Sequence, residues 1–240
     1  ILLITQVLAV FIILQIAHHR AIIIPHWITD KIMEQIDNLL IWKNKVDLTI
    51  TDKIYDLVKT DIKFQEDQFK GWYTKGLMTY VIKENKDPKV EVINSLFWNI
   101  LQNQLNLLHE NLLRTIPQGE TPPTDMTGPH PAWTRIMNHY LVSSRDIHIQ
   151  RMDVGSRIDW HMDYGHIMGE EQKTMAFILY LNDDYEGGEI EFDLQQFKLK
   201  PSRGDFLFFP PFWTHTHRVN TITKGCRYII RLNYKISKSL

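Results

Sequence analysis

The sequence predicts an α+β chain in which helices come first and pack outside a closed or double-sheet β core. Three observations lead there. The chain has 240 residues, 44% of them hydrophobic and 23% charged, which is one domain's worth of sequence or a domain plus an appendage. Helical periodicity of apolar residues is confined to the first half. From Ile147 onward the pattern becomes short strands separated by turn residues. The composition excludes a disordered, collagenous or coiled-coil protein. A formal net charge of -1 argues against a protein whose work is gripping phosphate backbones. Cys226 is the single cysteine, so an internal disulfide and a multi-cysteine zinc site are both excluded.

Residues 1–20 form an apolar N-terminal segment. The run Ile1–Ala17 is broken only by Thr5, Gln6 and Gln15 and is followed by His18, His19 and Arg20. As a helix it would be roughly 26 Å long, slightly short of a bilayer core, so it is a candidate signal anchor through which residues 1–17 would meet a membrane. Residues 21–116 read as a helical support region. Ala21–Pro25 is a short buried strand, and Thr29 caps a helix carrying Ile32, Ile36, Leu39 and Leu40. Residues 44–87 are polar and mixed and give no clear period. After Pro88, Ile93, Phe97, Ile100, Leu107, Leu108 and Leu112 make one apolar helix face, which is core packing. Residues 117–133 are a proline-rich loop, with five prolines between Pro117 and Pro131. Residues 134–240 hold the β region. Its strand candidates are IHIQRM, MAFILYL, EIEFDL, QFKLKP, DFLFFP, HRVNTI and CRYIIRLNY, and its separators include Asp153–Gly155, Asn182–Gly188 and Ser202–Gly204.

Eleven histidines are the composition figure that points to chemistry. His161-Met162-Asp163 follows a strand, and alternation puts its imidazole and carboxylate on the same side of an extended backbone. Alone this is weak evidence. A second imidazole arrives in THTHRV, from His215 or His217. Two histidines and one carboxylate make the facial triad that leaves open positions on non-haem Fe(II), whereas zinc favours a closed tetrahedron or a single open place. The remaining histidines have bland readings, among them a structural strand role for His148 and an entrance position for His166. Trp160 and Trp213 flank the candidate ligands and are as readily core as groove.

After His161 come, in order, AFILYLND, the turn Glu186-Gly187-Gly188-Glu189, KLKPSRGD, FFPP, the histidine pair and Gly225-Cys226-Arg227-Tyr228. This ordered set resembles the 2-oxoglutarate- and Fe(II)-dependent oxygenases, and within them the prolyl 4-hydroxylase-like branch. The resemblance is strong over about Ile147–Tyr234 and weak over Ala21 to about Leu40. It implies a double-stranded β-helix (jelly-roll) core with packed N-terminal helices, residues 134–240 being the catalytic region. The metal ligands it implies are His161, Asp163 and His217. The last is chosen because the family's ligand histidine stands about nine to ten positions before its arginine; here His217 stands ten before Arg227 and His215 twelve. Arg227 would pair with the distal carboxylate of 2-oxoglutarate, and Tyr180 would donate its hydroxyl to the same group. Arg231 reads as a structural arginine of the same strand.

Two departures from the family pattern stand out. Many relatives place a tyrosine in the strand before H-x-D, where this chain has Gln150-Arg151-Met152. Collagen-type prolyl hydroxylases use lysine where Arg227 stands, which sets this chain nearer to oxygen-sensing, bacterial or viral relatives. The implied enzyme is an Fe(II)/2-oxoglutarate-dependent dioxygenase that uses O2 to hydroxylate an unactivated C–H, with peptidyl proline as the family default and ascorbate as an optional helper. Rival readings are the same chemistry on a free amino acid or other small molecule, a nucleic-acid demethylase, which the charge disfavours, and a catalytically inactive jelly-roll binding module. The sequence leaves localisation open between cytoplasmic and membrane-anchored.

Overall fold

The run Met175–Leu181 is apolar at every position, which a strand tolerates only when both of its faces are covered. How they are covered is seen in a computed structural model, which describes residues 34–36, 41–66, 74–82, 87–114, 147–163 and 171–237. The first half contributes strands β1 (Glu34–Ile36), β2 (Ile41–Lys45), β3 (Gln65–Glu66) and β4 (Thr74–Ile82) and helices α1 (Leu48–Asp61) and α2 (Pro88–Arg114). The second half contributes β5 (Ile147–His161), β6 (Glu171–Tyr180), β7 (Glu186–Gly187), β8 (Ile190–Phe192), β9 (Phe197–Leu199), β10 (Asp205–Phe209), β11 (His217–Val219), β12 (Ile222–Lys224) and β13 (Arg227–Ser237).

Eleven of these strands form one antiparallel sheet in the order β1-β2-β10-β6-β13-β5-β11-β8-β9, with β4 paired to β5 and β3 to β4; β7 and β12 make a separate ribbon. The sheet curls into the double-stranded β-helix expected from the sequence. Alternation divides its side chains between two cores. Phe177 and Leu179 of β6, Phe206 and Phe208 of β10, and Ile230 and Leu232 of β13 face the helices, meeting Ile54 and Val58 of α1 and Val90, Ile93, Phe97 and Leu101 of α2. The opposite parity, Ala176, Ile178, Tyr180, Leu207, Phe209 and Ile229, packs inside the curl against Ile190 and Phe192.

Local chemistry sets the helix starts. Asp47 caps α1, its carboxylate accepting from Thr49 N at 2.7 Å. Pro88 occupies the first position of α2, where its missing N–H costs nothing, and Asp87 accepts from Lys89 N at 2.9 Å. Strand β5 then links the two parts of the sheet. Its first half lies between β13 and β4, and its last residues pair with β11, in a register that sets His161 opposite His217.

The structure departs from the sequence reading in three places. Glu34–Ile36, inside the expected helix of residues 29–40, is a strand that pairs with Ile41–Lys45. The unread residues 44–87 contain α1 and β4. The strand read as IHIQRM continues to His161, so the first candidate ligand ends a strand rather than lying in a loop after one. The apolar segment 1–20 and the loop 117–133 lie outside the described residues. Among the described residues, no helix is long and apolar enough to cross a membrane.

Candidate metal centre

The pairing of β5 with β11 brings two imidazoles together that are 56 positions apart in the chain, with ring centroids 4.3 Å from each other. Asp163 lies two residues beyond His161, its Oδ1 being 3.8 Å from His161 Nε2. Ligand atoms of His161, Asp163 and His217 all lie within 4.8 Å of one another, about the span of two metal–ligand bonds laid end to end. Backbone carbonyls fix both rings: His161 Nδ1 donates to the Asp159 carbonyl at 2.9 Å, and His217 Nδ1 to the His215 carbonyl at 2.9 Å. Each Nε2 is thereby left as the unprotonated donor atom a cation needs. Two imidazoles and a carboxylate on one side of a common point suit a divalent transition metal with positions to spare.

His215 is placed differently. It ends a short 3-10 turn, Trp213–His215, with its ring buried against Phe209 and Phe192 and its Nδ1 2.9 Å from Thr214 Oγ1. Its contribution to the cluster is the backbone carbonyl that orients His217.

Burial, with the His161 imidazole adding to it, holds the His217 imidazole down at about 4. The usual value is about 6.5, so between those limits the unfolded chain holds a proton that the native chain does not. Stability from this group is therefore complete above about 6.5 and is lost as pH falls through about 4. In the metal-free protein the acid limb of a melting-temperature profile should steepen over this window. His217→Gln should flatten it by roughly 3 kcal/mol relative to wild type.

A second cluster lies deeper in the curl. Arg227, 1% exposed, faces Met152 across the β13–β5 ladder and donates from Nη1 to Met152 Sδ at 3.0 Å. Its guanidinium carbon lies 5.2 Å from the centre of the Tyr180 ring, which stands opposite Ile229, two residues along the same face. Arg227 Nε, Tyr180 Oη and Tyr185 Oη are buried with no hydrogen-bond partner. Burial pushes the Tyr180 phenol up to about 12 and raises Tyr185 as well, so both remain proton donors. A buried guanidinium with orphaned donors around it is a cradle shaped for an acidic group.

Two members of these clusters escaped the sequence reading. Arg231 is more than the structural arginine expected: its Nη1 donates to Asp163 Oδ1 at 3.1 Å. The available signal was strand parity, since Arg227 and Arg231 are four apart and share a face. Tyr185 lay within a stretch read as a turn, and its burial could be learned only from the fold. Met152 stands where a tyrosine was noted as missing. Residues 164–170, His166 among them, lie outside the described residues.

Residues 147–235 match the family described as the 2OG-Fe(II) oxygenase superfamily. No curated protein matches the chain. Among solved structures, a viral collagen prolyl hydroxylase from Paramecium bursaria chlorella virus-1, in complex with 2-oxoglutarate, aligns with a TM-score of 0.55 at 15% identity, covering 86% of this chain and 97% of its own. A prolyl hydroxylase from Trichoplax adhaerens, in complex with a hypoxia-inducible-factor peptide, aligns at 0.56 and 13% identity over 82% of this chain and 84% of its own. A Pseudomonas putida prolyl-4-hydroxylase aligns at 0.54 and 8% identity over 83% and 94%. At these identities the likeness is one of fold.

Proposed function

Taking residues 147–235 as a 2OG-Fe(II) oxygenase superfamily domain, we propose that this chain is an Fe(II)- and 2-oxoglutarate-dependent dioxygenase that hydroxylates a C–H bond of a proline-containing peptide. The observation that carries the reading is the pairing of the two clusters on one curled sheet: a metal-competent His161–Asp163–His217 set and a buried, acid-seeking Arg227 with its phenols.

His161, Asp163 and His217 would hold the ion from one side, leaving the other side for the co-substrate and O2. Fe(II), when bound there, supplies the activation of O2 that couples decarboxylation of 2-oxoglutarate to C–H hydroxylation, giving succinate and CO2. The protein does the rest. Arg227 and Tyr180 would take the distal carboxylate, giving the guanidinium the counter-charge it lacks in the fold. The carbonyls of Asp159 and His215 hold the ligand imidazoles in one tautomer. Phe192 and Phe209 pack against the His217 ring, with centroids 5.6 and 4.9 Å away, and keep that side dry.

A peptide is favoured over a free amino acid by exposed apolar surface on the turn that leads into His217. Trp213, on the turn Trp213–His215 just before His217, is 71% exposed. The Trichoplax neighbour is described with a peptide bound. Trp213→Ala should raise KM for a peptide substrate by about tenfold while leaving the affinity for 2-oxoglutarate unchanged.

The direct test is anaerobic addition of Fe(II) and then 2-oxoglutarate, watching for the visible charge-transfer band of the chelate. O2 and proline peptides follow, with succinate and the mass gain of one oxygen atom as readouts. Absence of a band from well-folded protein would refute the oxygenase and leave the inactive jelly-roll module. Succinate without any peptide product would replace the peptide by a small-molecule substrate.

A further inference from the structure

We propose that Tyr185 is a third holder of the co-substrate's distal carboxylate, supplying from the turn between β6 and β7 the donor that β5 lacks at Met152. The inference rests on the 2-oxoglutarate reading above and goes beyond it in naming what completes the cradle.

On the ladder, the residue opposite Arg227 is Met152, whose thioether can only accept, and it does so from Arg227 Nη1. The strand that faces the guanidinium therefore brings no hydroxyl to the pocket. Tyr185 approaches from another direction. It belongs to the small core of Leu77, Met152, Ile158, Val219 and Ile222 and is 5% exposed. Gly188, at φ +69°, marks how closely it meets the arginine: a Cβ there would lie 3.0 Å from Tyr185 Cε2 and 3.4 Å from Arg227 Cδ. The hydroxyl is near enough for the Arg227 guanidinium to act on it, and no group meets it with full hydrogen-bond geometry.

The ring is also held in place. Lys200 Nζ donates to the Tyr185 carbonyl at 3.1 Å and to the Gly187 carbonyl, and it stands 3.7 Å from the centre of the Tyr185 ring. A phenol pinned on both its backbone and its face, buried with an orphaned hydroxyl beside an orphaned guanidinium nitrogen, is a preorganised donor. A carboxylate accepts at about four lone-pair sites, enough for Arg227 Nε, Tyr180 Oη and Tyr185 Oη together. Among the described residues, no carboxylate pairs with Arg227. None of the described residues supplies the anion that would satisfy all three donors, and the distal carboxylate of 2-oxoglutarate fits that role.

The test compares two keto acids on the full-length, Fe(II)-loaded protein under anaerobic conditions: 2-oxoglutarate, and 2-oxopentanoate, which carries a methyl group in place of the distal carboxylate. Dissociation constants are read from the charge-transfer band for wild type and Tyr185→Phe. The expected result is a loss of about tenfold or more in affinity for 2-oxoglutarate, with 2-oxopentanoate unchanged. Equal affinity of wild type and variant for 2-oxoglutarate would overturn the proposal while leaving the oxygenase intact. So would equal weakening of both keto acids, because that reports a disturbed pocket rather than a lost donor. If wild type gives no band with either acid, the oxygenase reading itself fails, and the proposal with it.

Discussion

His217→Ala is expected to abolish Fe(II) binding and all succinate formation, whereas His215→Ala keeps both within about tenfold of wild type. The two side chains are two positions apart and similarly buried, so the contrast must come from what each ring touches. The His217 ring meets His161 at 4.3 Å and turns its unprotonated nitrogen toward Asp163, with its Nδ1 proton committed to a carbonyl. Removing it takes away one of three protein ligands and leaves a bidentate set that cannot retain Fe(II) against buffer and water; a loss of about a thousandfold or more in affinity is expected. The His215 ring packs on Phe209 and Phe192, and what it gives His217 is a main-chain oxygen that alanine also possesses. Its truncation should lower the melting temperature, as loss of a buried ring does, with a modest effect on the metal. The measurements are anaerobic Fe(II) titration and thermal unfolding of both variants. Iron binding that survived loss of His217 and vanished with His215 would reverse the assignment.

The sequence revealed those parts of the molecule in which local pattern and tertiary role agree. Phe97 and Ile93 show their helical period because one face of α2 meets the sheet and the other meets solvent. Met175–Leu181 shows as a strand because both faces of β6 are covered and every position is apolar. The elements that stayed hidden are those made by partners distant in sequence. In α1 the buried positions are Thr51, Ile54 and Val58, a stripe only three residues wide and partly polar. The Asp47 cap that starts it was not picked out in the sequence. The end of β5 contains Gly155, at φ +86°, among charged residues that read locally as a turn, yet β4 and β11 hold it in the sheet as far as His161. Glu34–Ile36 pairs with β2 despite a helical spacing of apolar residues, a tertiary override of a weak local preference. The site was legible in the same graded way. H-x-D, the histidine pair and the arginine are contiguous signposts, so His161, Asp163, His217 and Arg227 could be named from their order. Tyr185 and Arg231 matter only through the faces they share with those residues, which no linear motif records.

Arg227→Met is expected to separate function from stability in opposite directions. The ligand-free protein should melt about 2–16 °C higher than wild type, while the stabilisation by 2-oxoglutarate disappears. The first half follows from burial. Arg227 is 1% exposed, its Nε has no partner, and its Nη1 is spent on a thioether, so the fold carries a charged group poorly compensated by its surroundings. Replacing even a paired buried charge set with apolar side chains of similar volume is often neutral or stabilising, by about 1–4 kcal/mol, and an uncompensated charge has less attraction to give up. In a domain of this size each kcal/mol moves the midpoint by about 2–4 °C. The second half follows from what the charge would be kept for. A ligand at a hundred times its dissociation constant stabilises a native state by about 2.7 kcal/mol, and wild type with Fe(II) and 2-oxoglutarate should show a gain of that order. The variant should show none, because methionine leaves the distal carboxylate buried without a counter-charge. Thermal unfolding with and without the keto acid, under anaerobic conditions, gives both numbers from one sample pair. A destabilised variant that still responded to 2-oxoglutarate would mean that Arg227 serves the core, and the acid-binding role would pass to another cation. A stabilised variant that no longer responds would show a site maintained against the preference of the fold, as expected of a residue whose partner arrives only with the co-substrate.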